Sequence, residues 1–343
     1  MPYGSILRRA LDITWRHKIL WVFGVILAVF GGASGAGGGG GSGQSGAQFS
    51  GDSARWEEFG RALPFGTRGI EWEAIIPIIV GAGLLALLLG LIFLIVSVIA
   101  RYTSYGALIA GVDEVERTGD TRFNSALRAG WSRFVQVFII DLLLGIAGFI
   151  IALPIIVVIL VGLGLVIGPA IAIGASGGEG AVVAGILWGV LTFLIWLVVI
   201  VALAAVVGAA FSILREYAMR FSVLEGRGIF ESIGDAFRLA IARLGPTLLI
   251  WLILAGIGLL VGLVLIPVVL VGAGVAAALF ALLYALFESW LLPAVLAVPV
   301  VLVLGALVTL GSGIYQTFIS AVWTLTFREL REQEAPMVTG PSV

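Results

Sequence analysis

The chain has 343 residues, of which 61% are hydrophobic and 11% are charged, and its formal net charge is −1. Because a soluble globular domain carries about 25% charged residues, this composition excludes a water-soluble surface and indicates a protein with several membrane-spanning segments. With no Cys, the chain cannot form disulfides or Cys-based zinc sites, and its balanced charge gives no indication of nucleic-acid binding.

Six long apolar runs predict transmembrane helices, because backbone polar groups in lipid must be hydrogen-bonded within the protein. The runs cover residues 19–33, 74–100, 134–175, 181–214, 245–287 and 291–327. The first is short for a span, whereas the third is far longer than the ~20 residues that a bilayer requires. Pro154 and Pro267 lie inside two runs and predict a kink or a re-entrant break at each position. We therefore expect an all-α integral membrane protein with about six transmembrane helices, and the same pattern allows eight.

The distribution of basic residues predicts the orientation of these spans. Of the 19 Lys and Arg residues, only Arg55, Arg61 and Arg68 fall on the side of the first long loop, and the other 16 fall on the opposite side. Cytoplasmic loops carry the excess of Lys and Arg, so both termini are expected in the cytoplasm. The predicted location is a bacterial cytoplasmic membrane, which the protein crosses several times.

The N-terminal segment has a second interpretation. The basic residues 16–18, the apolar core and the small residues 32–36 also match a cleaved signal peptide. The long region before the core is itself patterned as a helix, which favours a retained anchor. The sequence leaves cleavage open, and a mature N-terminus near Ser34 or Ala36 would exclude the six-span topology.

Three segments of the chain resemble one another. A shift of 110 residues aligns Ala126, Leu127, Arg128 and Arg133 with Ala236, Phe237, Arg238 and Arg243, and a shift of 116 aligns Ala10 and Trp15 with Ala126 and Trp131. Each unit predicts a short amphipathic helix, a span, a turn or loop and a second span. Two spans per unit give all three units one orientation, as in parallel repeats. We expect the units at residues 1–116, 117–226 and 227–330, followed by a disordered tail at 331–343.

A glycine-rich loop, within residues 31–73, separates the first two spans. It lacks the Lys-Ser/Thr and the strand–helix setting of a phosphate-binding loop, and its composition is that of a flexible linker. Behind it, Trp56, Phe59 and Leu63 recur at helical spacing and predict a short interfacial helix on the outer side.

The amphipathic helix that opens each unit is predicted to lie at the cytoplasmic surface of the membrane. In the second unit, Phe123, Leu127 and Trp131 share one helical face. A helix too short to span the membrane suits this interface, with aromatic rings at headgroup depth and arginines reaching phosphates. Two interpretations stay open: an elbow that anchors the next span, and a specific site for anionic lipids or a partner. The candidate headgroup contacts are Arg128, Arg133, Arg238 and Arg243.

Asp141 is the one acidic residue that the sequence places within a span. An ionisable residue at that depth indicates a functional site, and coupling to protons or cations is the natural role. It also lies only about two turns beyond Arg133, where an ion pair with Arg101 or Arg215 would make it structural. The repeat places Trp251 at the equivalent position, so the acid is not part of the repeated plan.

The sequence shows no catalytic constellation. His17 is the only His and stands between Arg16 and Lys18, where snorkelling at an interface is favoured over catalysis. A single His excludes the H-E-x-x-H motif and a His-based metal site, and no G-x-S-x-G motif accompanies it for Ser–His chemistry. We therefore expect no enzymatic activity, no cofactor and no metal.

Residues 218–243 and 323–330 resemble a broad group of bacterial membrane proteins. The resemblance is carried by AMRFSVLEG at 218–226, ESI at 231–233, AFR at 236–238, Arg243 and WTLTFREL at 323–330. These stretches look like the membrane domain attached to some glycerophosphodiester phosphodiesterases and like related stand-alone multi-pass proteins. The resemblance covers the second and third units best and implies a helical module that serves lipid metabolism or complex assembly. The phosphodiesterase catalytic domain is not part of this sequence, so its activity is not implied.

The predicted function is that of a non-enzymatic, lipid-interacting scaffold or accessory subunit. Membrane lipids and membrane proteins are its expected partners, and the oligomeric state stays open. The alternative is a transporter of small solutes or lipids that uses Asp141, motivated by that residue, by Pro154 and Pro267 and by the repeat. A polar cavity reaching Asp141 would favour transport, whereas a dry, Leu-packed centre would favour the scaffold.

Overall fold

In a computed structural model, the protein is described over residues 3–31, 72–175, 178–287 and 291–338. Regular structure in these ranges is helical, without a strand, which confirms the predicted all-helical fold for them. The helices are α1 (Tyr3–Arg16), α2 (Ile19–Phe30), α3 (Trp72–Thr118), α4 (Phe123–Ala175), α5 (Glu179–Leu224), α6 (Ile229–Ala242), α7 (Leu244–Phe287) and α8 (Leu291–Val338). Most of the glycine-rich loop, with Trp56, Phe59 and Leu63, lies outside the described residues.

Five of these helices, α3, α4, α5, α7 and α8, are long and apolar enough to cross a membrane, which indicates a membrane location. α2 has 12 residues, or roughly 18 Å at about 1.5 Å per residue, which is less than the ~30 Å hydrocarbon core. α1 and α2 are bent by 96° relative to each other. The described residues therefore provide five spans, or six if the bent pair forms one.

The prolines do not interrupt the long helices. α4 continues through Pro154 and Pro169, and α7 continues through Pro267. The expectation of a re-entrant break at Pro154 and Pro267 is therefore wrong, while a kink within each continuous helix stays a prediction. A proline removes one helix hydrogen bond, and a helix in lipid keeps its remaining bonds because no water replaces them.

Three helices, α3, α5 and α8, contact one another at the centre of the bundle. Three further helices each contact two of these central helices: α2 contacts α8 and α3, α4 contacts α3 and α5, and α7 contacts α8 and α5. The short helices also pack on central helices: α1 contacts α8, and α6 contacts α5. The bundle is thus built around α3, α5 and α8.

The buried core lies at one end of the bundle. Its side chains include Leu108 and Val112 of α3, Tyr217 of α5, and Val322 and Trp323 of α8. We call this region, formed by α1, α6 and residues 101–134, 213–228 and 317–333, the charged end. Towards the other end, side chains such as Leu87, Leu260 and Leu302 are exposed. An apolar surface of that extent suits contact with lipid.

Glycines let two pairs of helices approach closely. A Cβ atom on Gly24 of α2 would collide with the carbonyl oxygen of Gly313 of α8, and one on Gly313 would lie 2.7 Å from the backbone N of Val25. A Cβ atom on Gly130 of α4 would likewise collide with the carbonyl oxygen of Thr103 of α3. Both crossings therefore depend on the missing side chain, as is common between membrane helices.

The C-terminal helix is longer than predicted. α8 continues to Val338, so the first residues of the expected disordered tail, 331–343, are helical, while the end of the third unit at Leu330 stays a prediction. Arg331 helps to explain the extension, because its Nε donates to Glu225 Oε1 at 2.8 Å at the end of α5. Residues 339–343 lie outside the described ranges.

Candidate functional site

The Asp141 carboxylate is held by three side chains from α3 and α5. Its Oδ1 lies 2.5 Å from Nε of Arg215, an ion-pair distance without the alignment of an N–H···O hydrogen bond. Its Oδ2 accepts a hydrogen bond of 2.6 Å from the Tyr102 hydroxyl and lies 3.9 Å from Nη2 of Arg101. The side chains of Asp141 and Arg215 are 17% and 19% exposed, so the pair is largely buried.

This arrangement compensates the charge of Asp141 within the bundle. A buried carboxylate is costly unless it is paired and hydrogen-bonded, and here guanidinium groups and a phenol supply both. The pairing with Arg101 or Arg215 that the sequence left open is present, because both lie within ion-pair distance. Tyr102 is not among the residues that the sequence singles out, although it directly follows Arg101 at the end of an apolar run.

A small cavity with polar and apolar lining residues adjoins this cluster. Its volume is about 30 Å³, and its polar lining consists of Arg101, Tyr105, Arg215, Glu216 and Gln316 together with Ser320. One water requires about 10–15 Å³, so the cavity is large enough for about two waters. Asp141 is not among the lining residues, so within the described part of the chain this cavity does not reach the carboxylate.

Arg220 of α5 is a fully buried charge, at 0% exposure. Its Nη1 donates to Glu216 Oε2 at 2.5 Å, its Nη2 donates to the carbonyl oxygen of Ser320 at 3.1 Å, and its Nε donates to Thr324 Oγ1 at 3.3 Å. These bonds join α5 to α8 at the centre. The i,i+4 spacing of Glu216 and Arg220 is the only signal of this pair in the sequence.

Ion pairs at the charged end connect helices that are distant in sequence. They join α1 to α3, α3 to α8 and the end of α5 to α8, through Arg9–Glu116, Arg328–Asp113 and Arg331–Glu225. Each of these partly exposed pairs contributes about 0–1 kcal/mol. Their shared feature is that they connect separate helices, so these charges serve the assembly of the bundle.

The four arginines predicted to contact headgroups have different surroundings. They are Arg128 and Arg133 on α4, Arg238 on α6 and Arg243 at its end. Arg133 donates to Gln136 Oε1 at 2.9 Å, and Arg238 donates to Asp235 Oδ1 at 2.6 Å. Among the described residues, the side chains of Arg128 and Arg243 have no hydrogen-bond or ion-pair partner. Arg128 is exposed and Arg243 is half-buried.

The opening segments of the three predicted units turn small residues inward and large apolar residues outward. In the second unit this segment is the start of the continuous helix α4, so the separate short helix predicted there is wrong. Ala10, Ala126 and Ala236, which the repeat aligns, are 0%, 1% and 0% exposed. Trp15 and Trp131 are 54% and 56% exposed. The apolar face that the sequence predicts therefore lies largely on the outside. The sequence did not predict the buried face that carries these Ala residues, because Ala contributes little to an apolar periodicity.

His17 lies at the bend between α1 and α2. Its Nε2 is 3.3 Å from the carbonyl oxygen of Gly119 and 4.0 Å from Asp120 Oδ1, so it joins the bend to the turn between α3 and α4. Among the described residues, no group of three or more His, Cys, Asp or Glu side chains is placed to hold a metal ion.

Comparison of the chain with protein-family models, with curated proteins and with solved structures found no match. The resemblance to the phosphodiesterase membrane domain therefore stays a prediction. The class that the fold defines is that of a helical protein whose described residues form five long apolar helices, compatible with several membrane crossings.

Proposed function

We propose that the protein is a non-catalytic, lipid-interacting scaffold or accessory subunit of a bacterial cytoplasmic membrane, related to the stand-alone modules named above. The observation that carries the proposal is the pairing of Asp141 with Arg215, Arg101 and Tyr102. A carboxylate that couples transport to ions lies on a pathway that the ion or proton can reach. The charge of the Asp141 carboxylate is instead compensated by Arg215 and Arg101, and Tyr102 donates a hydrogen bond to it. These neighbours lie on two helices, α3 and α5, which the carboxylate connects.

The helix contacts support a bundle of three parallel units around one axis. The helices α2, α4 and α7 correspond to the first predicted span of each proposed unit. Each contacts the second span of its own unit and the second span of another unit: α4 contacts α5 and α3, α7 contacts α8 and α5, and α2 contacts α3 and α8. Parallel repeats about the membrane normal have such a cyclic order. Six spans with both termini in the cytoplasm follow if the bent pair α1 and α2 forms the first span.

Transport of a small solute or lipid is the alternative function, and the small cavity beside Arg101 and Arg215 is its support. At about 30 Å³, that cavity accommodates water and not an organic solute. Transport would therefore require α3, α5 and α8 to separate. The buried bonds of Arg220 between α5 and α8 oppose such a movement.

A proton-flux assay in proteoliposomes separates the two functions. The purified chain is reconstituted into liposomes that enclose a pH-sensitive dye, and a potassium gradient with valinomycin drives proton uptake. We expect the wild type and Asp141→Asn to match protein-free liposomes, with thermal unfolding traces showing that both are folded. A flux above that level that Asp141→Asn abolishes would establish the transporter and overturn the scaffold.

The lipid-interacting part of the proposal has its own test. The chain is extracted with its surrounding lipid in copolymer discs, and the lipid composition of the discs is compared with that of the whole membrane. Enrichment of anionic phospholipid is expected, because unpaired arginines lie at the charged end. A composition equal to that of the membrane would contradict this part.

A further inference from the structure

A lateral groove, which we call groove A, opens between α2, α3 and the first turns of α4. Its volume is about 640 Å³, within the range of about 300–1,000 Å³ that is typical of small-molecule pockets. Residues from all three helices line it, among them Ile26, Val96, Ile99, Ala100, Asn124 and Arg128. The groove is therefore apolar along Ile26 of α2 and residues 96–100 of α3, and its polar residues, Thr103, Ser104, Asn124 and Arg128, lie further along α3 and where α4 begins.

Arg128 is the charged residue of groove A. Its side chain is exposed, and within the described ranges no carboxylate pairs with it. Trp131, three residues further along α4, also lines the groove and is 56% exposed. An exposed indole beside an arginine is typical of headgroup depth in a membrane. An unpaired guanidinium at that depth is suited to bind a phosphate through two parallel hydrogen bonds.

A second groove, groove B, lies at the corresponding place between α4, α5 and α6 and extends along α7. Its volume is about 610 Å³, and the residues that line it include Ile213, Leu214, Phe237, Ile241 and Trp251. None of the described residues that line groove B is charged. Arg238, which the repeat aligns with Arg128, lies outside this lining and pairs with Asp235. The two grooves thus have similar size and position and differ in charge.

We propose that groove A binds one anionic phospholipid, with an acyl chain along Ile26, Val96 and Ile99 and the phosphate on Arg128. Groove B, without a charged residue in its lining, accepts an acyl chain and does not select the headgroup. This inference rests on the proposed lipid-interacting function and gives that function a site and a class of lipid.

The surroundings of groove A favour a lipid as its occupant. Val96 is 53% exposed, and Leu91, Phe93 and Leu94 on the preceding turns of α3 are 55%, 64% and 56% exposed. The wall of the groove is therefore continuous with an apolar surface that contacts lipid when α3 crosses the membrane. An acyl chain is the apolar group present there at the highest concentration. A zwitterionic headgroup carries its own ammonium beside the phosphate, whereas an anionic lipid presents uncompensated negative charge to Arg128.

Native mass spectrometry of the full chain with equal amounts of phosphatidylglycerol and phosphatidylcholine tests the assignment. The wild type and the matched control Arg238→Gln are expected to retain one phosphatidylglycerol in preference. Arg128→Gln should lower that preference about fivefold, which corresponds to about 1 kcal/mol for one basic residue at an anionic headgroup. A preference unchanged in Arg128→Gln would overturn the assignment while the lipid-interacting function stands. A wild type that retains no lipid would overturn the proposed function as well.

Filling groove A tests the place of the acyl chain independently of charge. Ala100→Trp puts an indole into the groove, and Ala86→Trp puts the same group on the exposed surface of the same helix. Ala100→Trp is expected to reduce bound phosphatidylglycerol at least as far as Arg128→Gln does, while Ala86→Trp retains it. Gel filtration identifies variants that fold. A folded Ala100→Trp variant that keeps the full amount of lipid would overturn the proposal, and the Arg128 comparison decides it if this variant does not fold.

Discussion

The Nε atom of Arg215 lies 2.5 Å from Oδ1 of Asp141, and this ion pair ties α5 to α4 beside the charged end. We expect Asp141→Asn to lower the free energy of unfolding by about 3 kcal/mol, the low end for breaking a buried pair, because Asn can still accept the hydrogen bond from Tyr102. With Arg215→Gln, a double-mutant cycle in detergent should give a coupling of about 0.5–3 kcal/mol. Additive effects of the two changes would show that the pair does not stabilise the fold.

The crossing of α2 and α8 at Gly313 should not tolerate a methyl group. A Cβ atom there would lie 2.7 Å from the backbone N of Val25, so Gly313→Ala is expected to cost about 1–3 kcal/mol through overpacking. Gly311→Ala is the matched control, because a Cβ atom on Gly311 meets nothing within 4 Å. Thermal unfolding of both variants measures the difference. Equal melting temperatures would mean that the two helices do not cross closely here.

Arg220 should matter more for stability than any exposed arginine at the charged end. Its fully buried guanidinium compensates Glu216, so Arg220→Ala is expected to cost about 3–5 kcal/mol. Replacing both partners, as Glu216→Leu with Arg220→Met, should recover much of that loss because no buried charge remains uncompensated. Arg238→Gln, on the exposed face of α6, should stay within about 0.5 kcal/mol of the wild type. An Arg220→Ala variant as stable as Arg238→Gln would contradict the central contact of α5 and α8.

The membrane-length helices were predictable because lipid allows few alternatives to a continuous, internally bonded backbone. The bend between α1 and α2 was not, since it depends on α1 and α2 packing against α8, at the far end of the sequence. The extension of α8 to Val338 depends in the same way on Glu225 meeting Arg331. Local pattern thus predicted the helices, and distant contacts decided their bends and ends.

The candidate site was predictable only in part. The pairing of Asp141 follows from its distance to the ends of neighbouring spans, but the burial of Arg220 depends on α8 presenting Ser320 and Thr324 to it. Arg128 and Arg238 occupy equivalent positions in the repeat, but the sequence shows one difference near them. Asp235 precedes Arg238 by three residues, which is pairing distance on a helix. The same position before Arg128 is Ser125.

The absence of Cys makes the proposed orientation directly measurable, because any introduced thiol is unique. Ser125→Cys lies on the exposed face of α4 at the charged end, and Gly180→Cys is exposed at the start of α5. With the positive-inside orientation, a membrane-impermeant maleimide should label Gly180→Cys in intact cells and Ser125→Cys only after permeabilisation. The reverse pattern would place the charged end outside the cell.

The central claim is that the charges inside the bundle serve its assembly, while Arg128 remains available to a lipid. A cryo-electron microscopy structure in nanodiscs that contain phosphatidylglycerol tests it most directly. We expect an Asp141–Arg215 pair without an open path from either side of the membrane, and elongated density in groove A that ends in a phosphate at Arg128. A water-filled path that reaches Asp141, with groove A empty, would contradict it.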